Sequence, residues 1–220
     1  ARRRWYEQFR AKGSVAPHAN DRTLDRPLRI GYVSGDFKQH SAAFIFAAVI
    51  LHHDRTRIEP YLYSTLPVDP VADPMTAKFQ AAGTWRDIAT LADEPAEALI
   101  RQDQIDILVD LSSHTGGNRL VLFTRHPAPI AVTAWGFAHG TGIKEIDYFF
   151  ADPIAVPESE RSCYSERIWD LPCIVTYEPP VEYQLAGQSP APVTRDDQDW
   201  LTFGAFSRFE KLSDECLQTW

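Results

Sequence analysis

The stretch that most constrains this chain runs from Leu28 to Ile50 and reads LRIGYVSGDFKQHSAAFIFAAVI. Its first seven residues are β-branched and aromatic and are bounded by Pro27 and Gly35. That composition suits a strand buried on both faces of a parallel sheet. The run from Ala42 to Ile50 is almost unbroken in its apolar character and predicts a buried helix, with Ser41 as its cap. Between them lies a polar turn, Gly35-Asp36-Phe37-Lys38-Gln39-His40. In an open α/β sheet, ligands bind at the loops leaving the carboxyl ends of the strands. Asp36 and His40 are therefore expected at such an edge.

The same alternation continues along the chain. Apolar runs predict strands over 58–64, 85–88, 105–111, 130–135, 148–151 and 167–171. Helices are expected at 76–82, at 94–102 by its apolar spacing, after Asn118 to about Arg125, and briefly at 158–164. Strands alternating with helices at these intervals imply a doubly wound α/β sheet. Residues 1–12 place Trp5 and Phe9 four apart, one stripe on a short helix. So short a helix is marginal alone and is expected to dock on the domain or to continue an earlier helical array. Residues 13–26 have the Pro, Asn and Asp punctuation of a linker. A second linker is expected over 177–199, which carries Pro179, Pro180, Pro190 and Pro192. Beyond it, Leu201 to Phe206 reads as a fresh strand, and Ser213 to Trp220 as a helix capped by Ser213. The expected organisation is thus a lead-in over 1–26, a Rossmann-like lobe over 27–176, a linker over 177–199 and the start of a second such lobe over 200–220. The chain begins at Ala1 without Met, which suggests a piece of a longer protein.

Charge and cysteine content narrow the function classes. A formal net charge of −8, with Arg2-Arg3-Arg4 as the only basic run, argues against a general nucleic-acid binder. No run approaches the ~18 apolar residues of a membrane span, and no secretory signal opens the chain. Cys163, Cys173 and Cys216 form no CxxC pair, so neither a zinc site nor a disulfide framework is signalled. A reducing cytoplasm fits that usage.

Three loops should gather at one edge of the sheet: Gly35 to Ser41, Ser112 to Asn118 and Gly136 to Gly142. Each holds a histidine, respectively His40, His114 and His139. Each of these is either a capping or surface residue or a participant in chemistry. Asp36 and His40 form the sharper pair, because a carboxylate near an imidazole fixes its tautomer and raises its basicity. The bland alternative is an Asx-turn at Asp36. Thr115-Gly116-Gly117-Asn118 is either an anion-cradling turn or a glycine-rich cap. It lacks the spacing of a dinucleotide fingerprint and the lysine of a P-loop. Gly136 and Gly140 would let a bulky ligand approach the backbone. Asp196-Asp197-Gln198-Asp199 reads as a solvated acidic run in the linker. Lys211, in the first loop of the second lobe, is either a surface lysine or the cation for a pyrophosphate.

Four ordered stretches, LRIGYVSGDFKQHS, DQIDILVDLSSHTGGNRL, RHPAPIAVTAWGFAHGTGIKEIDYFFAD and FGAFSRFEKLS, resemble the catalytic region of the O-GlcNAc transferase family, in particular its bacterial members carrying tetratricopeptide repeats. The resemblance implies a GT-B fold of two Rossmann-like lobes. It implies an inverting, metal-independent and cofactor-free transfer of GlcNAc from UDP-GlcNAc to Ser or Thr hydroxyls of a protein acceptor. By the same resemblance His40, Asp36 and Lys211 are catalytic, and His40 also lies beside the donor. Trp135, Gly136 and Ala138 line the donor sugar, and Arg208 and Lys211 lie on the donor side, Lys211 holding the diphosphate. His114, Thr115 and Gly116 face the acceptor. His114 stands where tyrosine is more usual, and some relatives with histidine there use GDP-fucose. A protein O-fucosyltransferase, a UDP-GlcNAc 2-epimerase of the same two-lobed plan and a catalytically inert scaffold are the alternatives. An N-terminal repeat region is the expected partner segment.

Overall fold

The computed structural model describes residues 2–12, 16–23, 25–69, 71–179, 204 and 209–220. The chain divides into two compact units, Ala1–Val181 and Glu182–Trp220.

The first unit is built on a seven-stranded sheet in which every pairing is parallel. Its strands are β1 (Leu28–Ser34), β2 (Ile58–Ser64), β3 (Thr84–Asp87), β4 (Ile107–Asp110), β5 (Ile130–Thr133), β6 (Tyr148–Ala151) and β7 (Arg167–Asp170). Their spatial order is β3-β2-β1-β4-β5-β6-β7, so the winding reverses between β1 and β4. The helices are α1 (Arg2–Phe9), α2 (Ser41–Ile50), α3 (Pro74–Ala82), α4 (Asp93–Gln102) and α5 (Leu120–Phe123), with a 3-10 turn at Glu158–Cys163.

Period-two alternation sends successive strand residues to opposite faces. Tyr32, Leu62, Val109 and Val132 pack with Phe46 and Ile50 of α2 and Phe79 of α3. Val33, Tyr63, Leu108 and Ala131 pack with Ala96 and Ile100 of α4, Phe123 of α5 and Tyr6 of α1. Both faces are covered, which is why these strands read as near-continuous apolar runs. Gly31 makes room for that packing, since a Cβ there would meet Leu108 at 2.8 Å and Tyr63 at 2.9 Å. Pro60 is tolerated inside β2 because pairing to β3 begins only at Tyr61, so at Pro60 the strand has a neighbour on the β1 side alone.

Most predicted elements stand within a residue or two, and β4 and β5 are shorter than expected. The cap of α2 differs: Ser41 is its first helical residue, and the side chain of His40 accepts the Ala42 N–H at the cap position. Of the second unit, a 3-10 turn at Phe209–Lys211 and helix α6 (Asp214–Thr219) are described; Ser213 caps α6 by accepting the Cys216 N–H. The strand expected over 201–206 (Gly204 apart), Arg208 and most of the expected linker lie outside the described residues.

The lead-in is tied to the amino-terminal end of β4. The Asn20 side chain donates to the Gln104 and Ile105 carbonyls, and Arg26 pairs with Asp106 at 2.7 Å. His18 Nε2 lies 2.9 Å from His126 Nδ1, while Arg101 reaches His18 Nδ1 at 3.2 Å and donates to the His126 carbonyl. Burial, then the Arg101 guanidinium and His126, hold the His18 pKa below its ordinary value of 6.5 against the pull of Glu97. The folded state therefore takes up this proton later than the unfolded chain. Its stabilisation is present above about pH 6.5 and is lost as pH falls through the lowered pKa. Urea midpoints at pH 7.5 and 5.5 should fall more between those pH values in the wild type than in His18→Gln.

Candidate active site

Ligands bind open α/β sheets where the strand order reverses. Here that point lies between β1 and β4, and three loops leave the carboxyl ends of β1, β4 and β5 around it.

The first loop is pinned by the one apolar residue in it. Phe37 is fully buried, with ring centroids 5.1 Å from Phe79, 5.7 Å from Trp85 and 5.8 Å from Phe46. Its carbonyl accepts the Thr76 hydroxyl at 2.7 Å, and the Gln39 N–H donates to Asp73, the N-cap of α3, at 2.7 Å. Between these fixed points the turn delivers His40 to the surface, its side chain 45 % exposed. His40 Nδ1 accepts the Ala42 N–H at 3.2 Å, so its neutral form carries the proton on Nε2. Asp36 Oδ2 stands 3.7 Å from the same Nδ1, near enough to pair with an imidazolium but outside hydrogen-bond range. The two residues do come together, but the helix cap, and not the carboxylate, sets the tautomer. Nor is the turn an Asx-turn: the Lys38 N–H donates to the Asp36 main-chain carbonyl.

The second loop depends on Asp110, which the sequence reading passed over. It ends β4, is 1 % exposed, and accepts the Ser112 and Ser113 N–H groups and the Thr133 hydroxyl at 2.8–3.1 Å. Burial raises its pKa in spite of those bonds. They hold Ser113 at φ 47°, in the left-handed region that a residue with a side chain rarely occupies. The strained turn brings His114 across so that Nε2 lies 2.7 Å from the Thr141 carbonyl, in the third loop. Thr115 turns inward, donating its hydroxyl to the Ser112 carbonyl, and Gly116 faces open space. The N–H groups of Thr115 and Asn118 are used inside the loop, and α5 is a single turn.

The third loop is similarly fixed. Trp135 sits at φ 57° with its indole N–H donating to the Ile174 carbonyl at 2.9 Å, and Gly136 N–H folds back on Ala134. A Cβ on Gly136 would lie 2.3 Å from the Leu111 carbonyl oxygen, and one on Gly140 2.7 Å from Glu166. At both positions the space that a side chain would need is taken by neighbouring chain. Ala138 is exposed and its carbonyl accepts the Tyr164 hydroxyl. His139 is exposed, packed on Phe137. Buried Glu166, also missed from the sequence, accepts the Thr141 N–H at 2.6 Å. Lys211 belongs to the second unit, exposed at the end of its 3-10 turn.

The fold is that of a Rossmann-like lobe, and its candidate site is the edge carrying His40, His114 and Trp135. The chain belongs to glycosyl transferase family 41, whose sequence pattern matches residues 12–175. It is 33% identical to the probable UDP-N-acetylglucosamine–peptide N-acetylglucosaminyltransferase SPINDLY of Hordeum vulgare, over 100% of this chain and 23% of that protein. It is 30% identical to the UDP-N-acetylglucosamine–peptide N-acetylglucosaminyltransferase of Caenorhabditis elegans, over 66% of this chain and 13% of that one. A mutant O-GlcNAc transferase from Thermobaculum terrenum superposes with a TM-score of 0.75 at 36% identity, over 82% of this chain and 35% of that chain. The lobe is of the GT-B type implied by the sequence resemblance. The chain spans about a quarter of the length of the curated relatives it matches first.

Two substitutions test how the loops are held. Phe37→Ala should cost about 3–5 kcal/mol in urea unfolding, since it removes the buried ring and leaves a cavity. Asp110→Ala should cost about 3 kcal/mol by stranding two N–H groups and a hydroxyl. Asp110→Asn should lose far less, because its amide can accept from Ser112 and Ser113 and donate to Thr133, and it carries no buried charge.

Proposed function

We propose that this chain forms the N-terminal part of the catalytic region of a protein O-GlcNAc transferase. In this reading GlcNAc passes from UDP-GlcNAc to a Ser or Thr hydroxyl, with inversion, without a metal or other cofactor. The observation that carries it is the place of His40: exposed, held by a helix cap, and at the strand reversal of a family 41 lobe. The names borne by the relatives support GlcNAc as the sugar.

The acceptor oxygen attacks the anomeric carbon as the bond to the diphosphate breaks, UDP leaving with the bonding pair. With Nδ1 occupied by the cap, His40 presents Nε2–H as a donor to an oxygen on which charge builds. Asp36 is the adjacent carboxylate that takes the acceptor proton. Trp135, Gly136 and Ala138 line the sugar, while His114, Thr115 and Gly116 face the acceptor. Lys211 keeps the role of neutralising the diphosphate, and Arg208 a place on the donor side. Holding acceptor and donor in line supplies a further share of the rate. The reading places the protein in the cytoplasm, behind a tetratricopeptide region. Free thiols at Cys163, Cys173 and Cys216 agree with a reducing compartment, and no described helix is long and apolar enough to cross a membrane.

Labelled UDP-GlcNAc incubated with the full-length protein and an acceptor should place label on protein. Label confined to free sugar nucleotide would instead indicate an epimerase, and tighter binding of GDP-fucose than UDP-GlcNAc in calorimetric titration would overturn the sugar. His40→Ala should lower turnover by roughly a hundredfold. His40→Asn can still cap α2 and donate a hydrogen bond, so it should recover about tenfold of that loss. Equal loss in both variants would assign His40 to proton removal.

A further inference from the structure

Helix α1 lies more than a hundred residues upstream of the acceptor-side and sugar-side loops, yet it packs directly on them. The Trp5 ring meets His114 edge-on, with centroids 5.3 Å apart and planes at 86°. Arg2 donates to the Gly140 carbonyl, and its guanidinium sits 5.4 Å from the centre of the Phe137 ring. Buried Tyr6 donates its hydroxyl to Glu145 at 2.8 Å, and Lys144 covers the same ring. The contact is close enough to dictate backbone: Gly142 adopts φ +80°, and a Cβ there would lie 2.9 Å from that of Arg2.

His114 is thus held from two directions. Its Nε2 is tied to the Thr141 carbonyl, and the loop carrying Thr141 is clamped by Arg2 and Tyr6. Its ring is stopped by Trp5. Trp5 itself is only half-buried, backed by Phe9 at 5.4 Å. An eight-residue helix has little stability of its own. Its geometry and that of the loops are therefore mutually dependent.

We propose that Trp5 is a positioning residue for the acceptor, acting through His114, and that α1 is part of the site's supporting structure as well as a lead-in to the lobe. The proposal rests on the reading of His114 as an acceptor-facing residue. It makes acceptor binding sensitive to any displacement of the chain immediately preceding the lobe.

The test is a double-mutant cycle in the full-length protein, with a serine-containing peptide that the wild type modifies. Trp5→Ala should raise the KM for peptide about tenfold while leaving the KM for UDP-GlcNAc within about twofold, a split that general damage to the fold would not produce. Trp5→Phe, which keeps a ring against His114, should stay near wild type. Adding Trp5→Ala to His114→Ala should bring no further rise in peptide KM. If the two effects simply add, or if Trp5→Ala behaves as wild type while His114→Ala is impaired, the coupling is refuted. If His114→Ala itself leaves the peptide KM unchanged, the acceptor assignment fails first and this proposal falls with it.

Discussion

The reversal of strand order between β1 and β4 is the constraint on which the site depends. Helices on opposite faces draw the loops after these two strands apart, and each loop needs an anchor to remain at the edge. The first loop uses a hydrocarbon anchor. Burying Phe37 is worth about 2–3 kcal/mol of transfer free energy, and its four-ring cluster leaves the turn little freedom. The second uses a carboxylate, and its balance is different. Burying the charge of Asp110 is unfavourable, and its three hydrogen-bond partners compensate for that without making it a large source of stability. What Asp110 contributes is shape, because it directs two consecutive N–H groups and a neighbouring strand's hydroxyl at one point.

The framework was legible in the sequence where the physical signal is local. β1 and β2 appear at their predicted bounds because both are short segments whose apolar and aromatic residues outnumber the polar ones. The anchors were not legible for the same reason. Phe37 is a lone aromatic in a polar turn, and Asp110 is an acid closing an apolar triplet, a pattern shared with any strand that ends at the surface. Trp5 was seen as one member of a helical stripe, but its partner His114 is far away in sequence, and no spacing rule joins them. The glycines at 136 and 140 are legible only in part. Sequence can show that a backbone needs room without showing whether a ligand or the chain itself takes it.

The cap of α2 shows how a small displacement changes the chemistry. Serine at position 41 is the better cap by general preference. The helix begins one residue earlier, however, because Phe37 and Asp73 fix where the turn ends, and His40 falls at the cap. An imidazole nitrogen accepting a backbone N–H is thereby committed to one tautomer, and its other nitrogen is left as a donor. A backbone amide thus orients the ring and leaves Asp36 unbonded to it.

Strain is distributed accordingly. Among the described residues, four non-glycine residues have positive φ, and two of them, Ser113 and Trp135, lie just past the carboxyl ends of β4 and β5. Each left-handed residue of this kind costs of order 1–3 kcal/mol and persists only where its surroundings over-determine it. Both are over-determined here, Ser113 by Asp110 and Trp135 by its indole bond to the Ile174 carbonyl. The other two, Gln104 and His126, sit ahead of the amino ends of the same strands, where the lead-in is fastened. The strained positions thus bracket β4 and β5 at both ends. At the carboxyl ends they shape the loops of the candidate edge, and at the amino ends they lie where the lead-in is fastened. The lead-in that supports His114 through Trp5 is therefore held at both ends of the strands that carry the site.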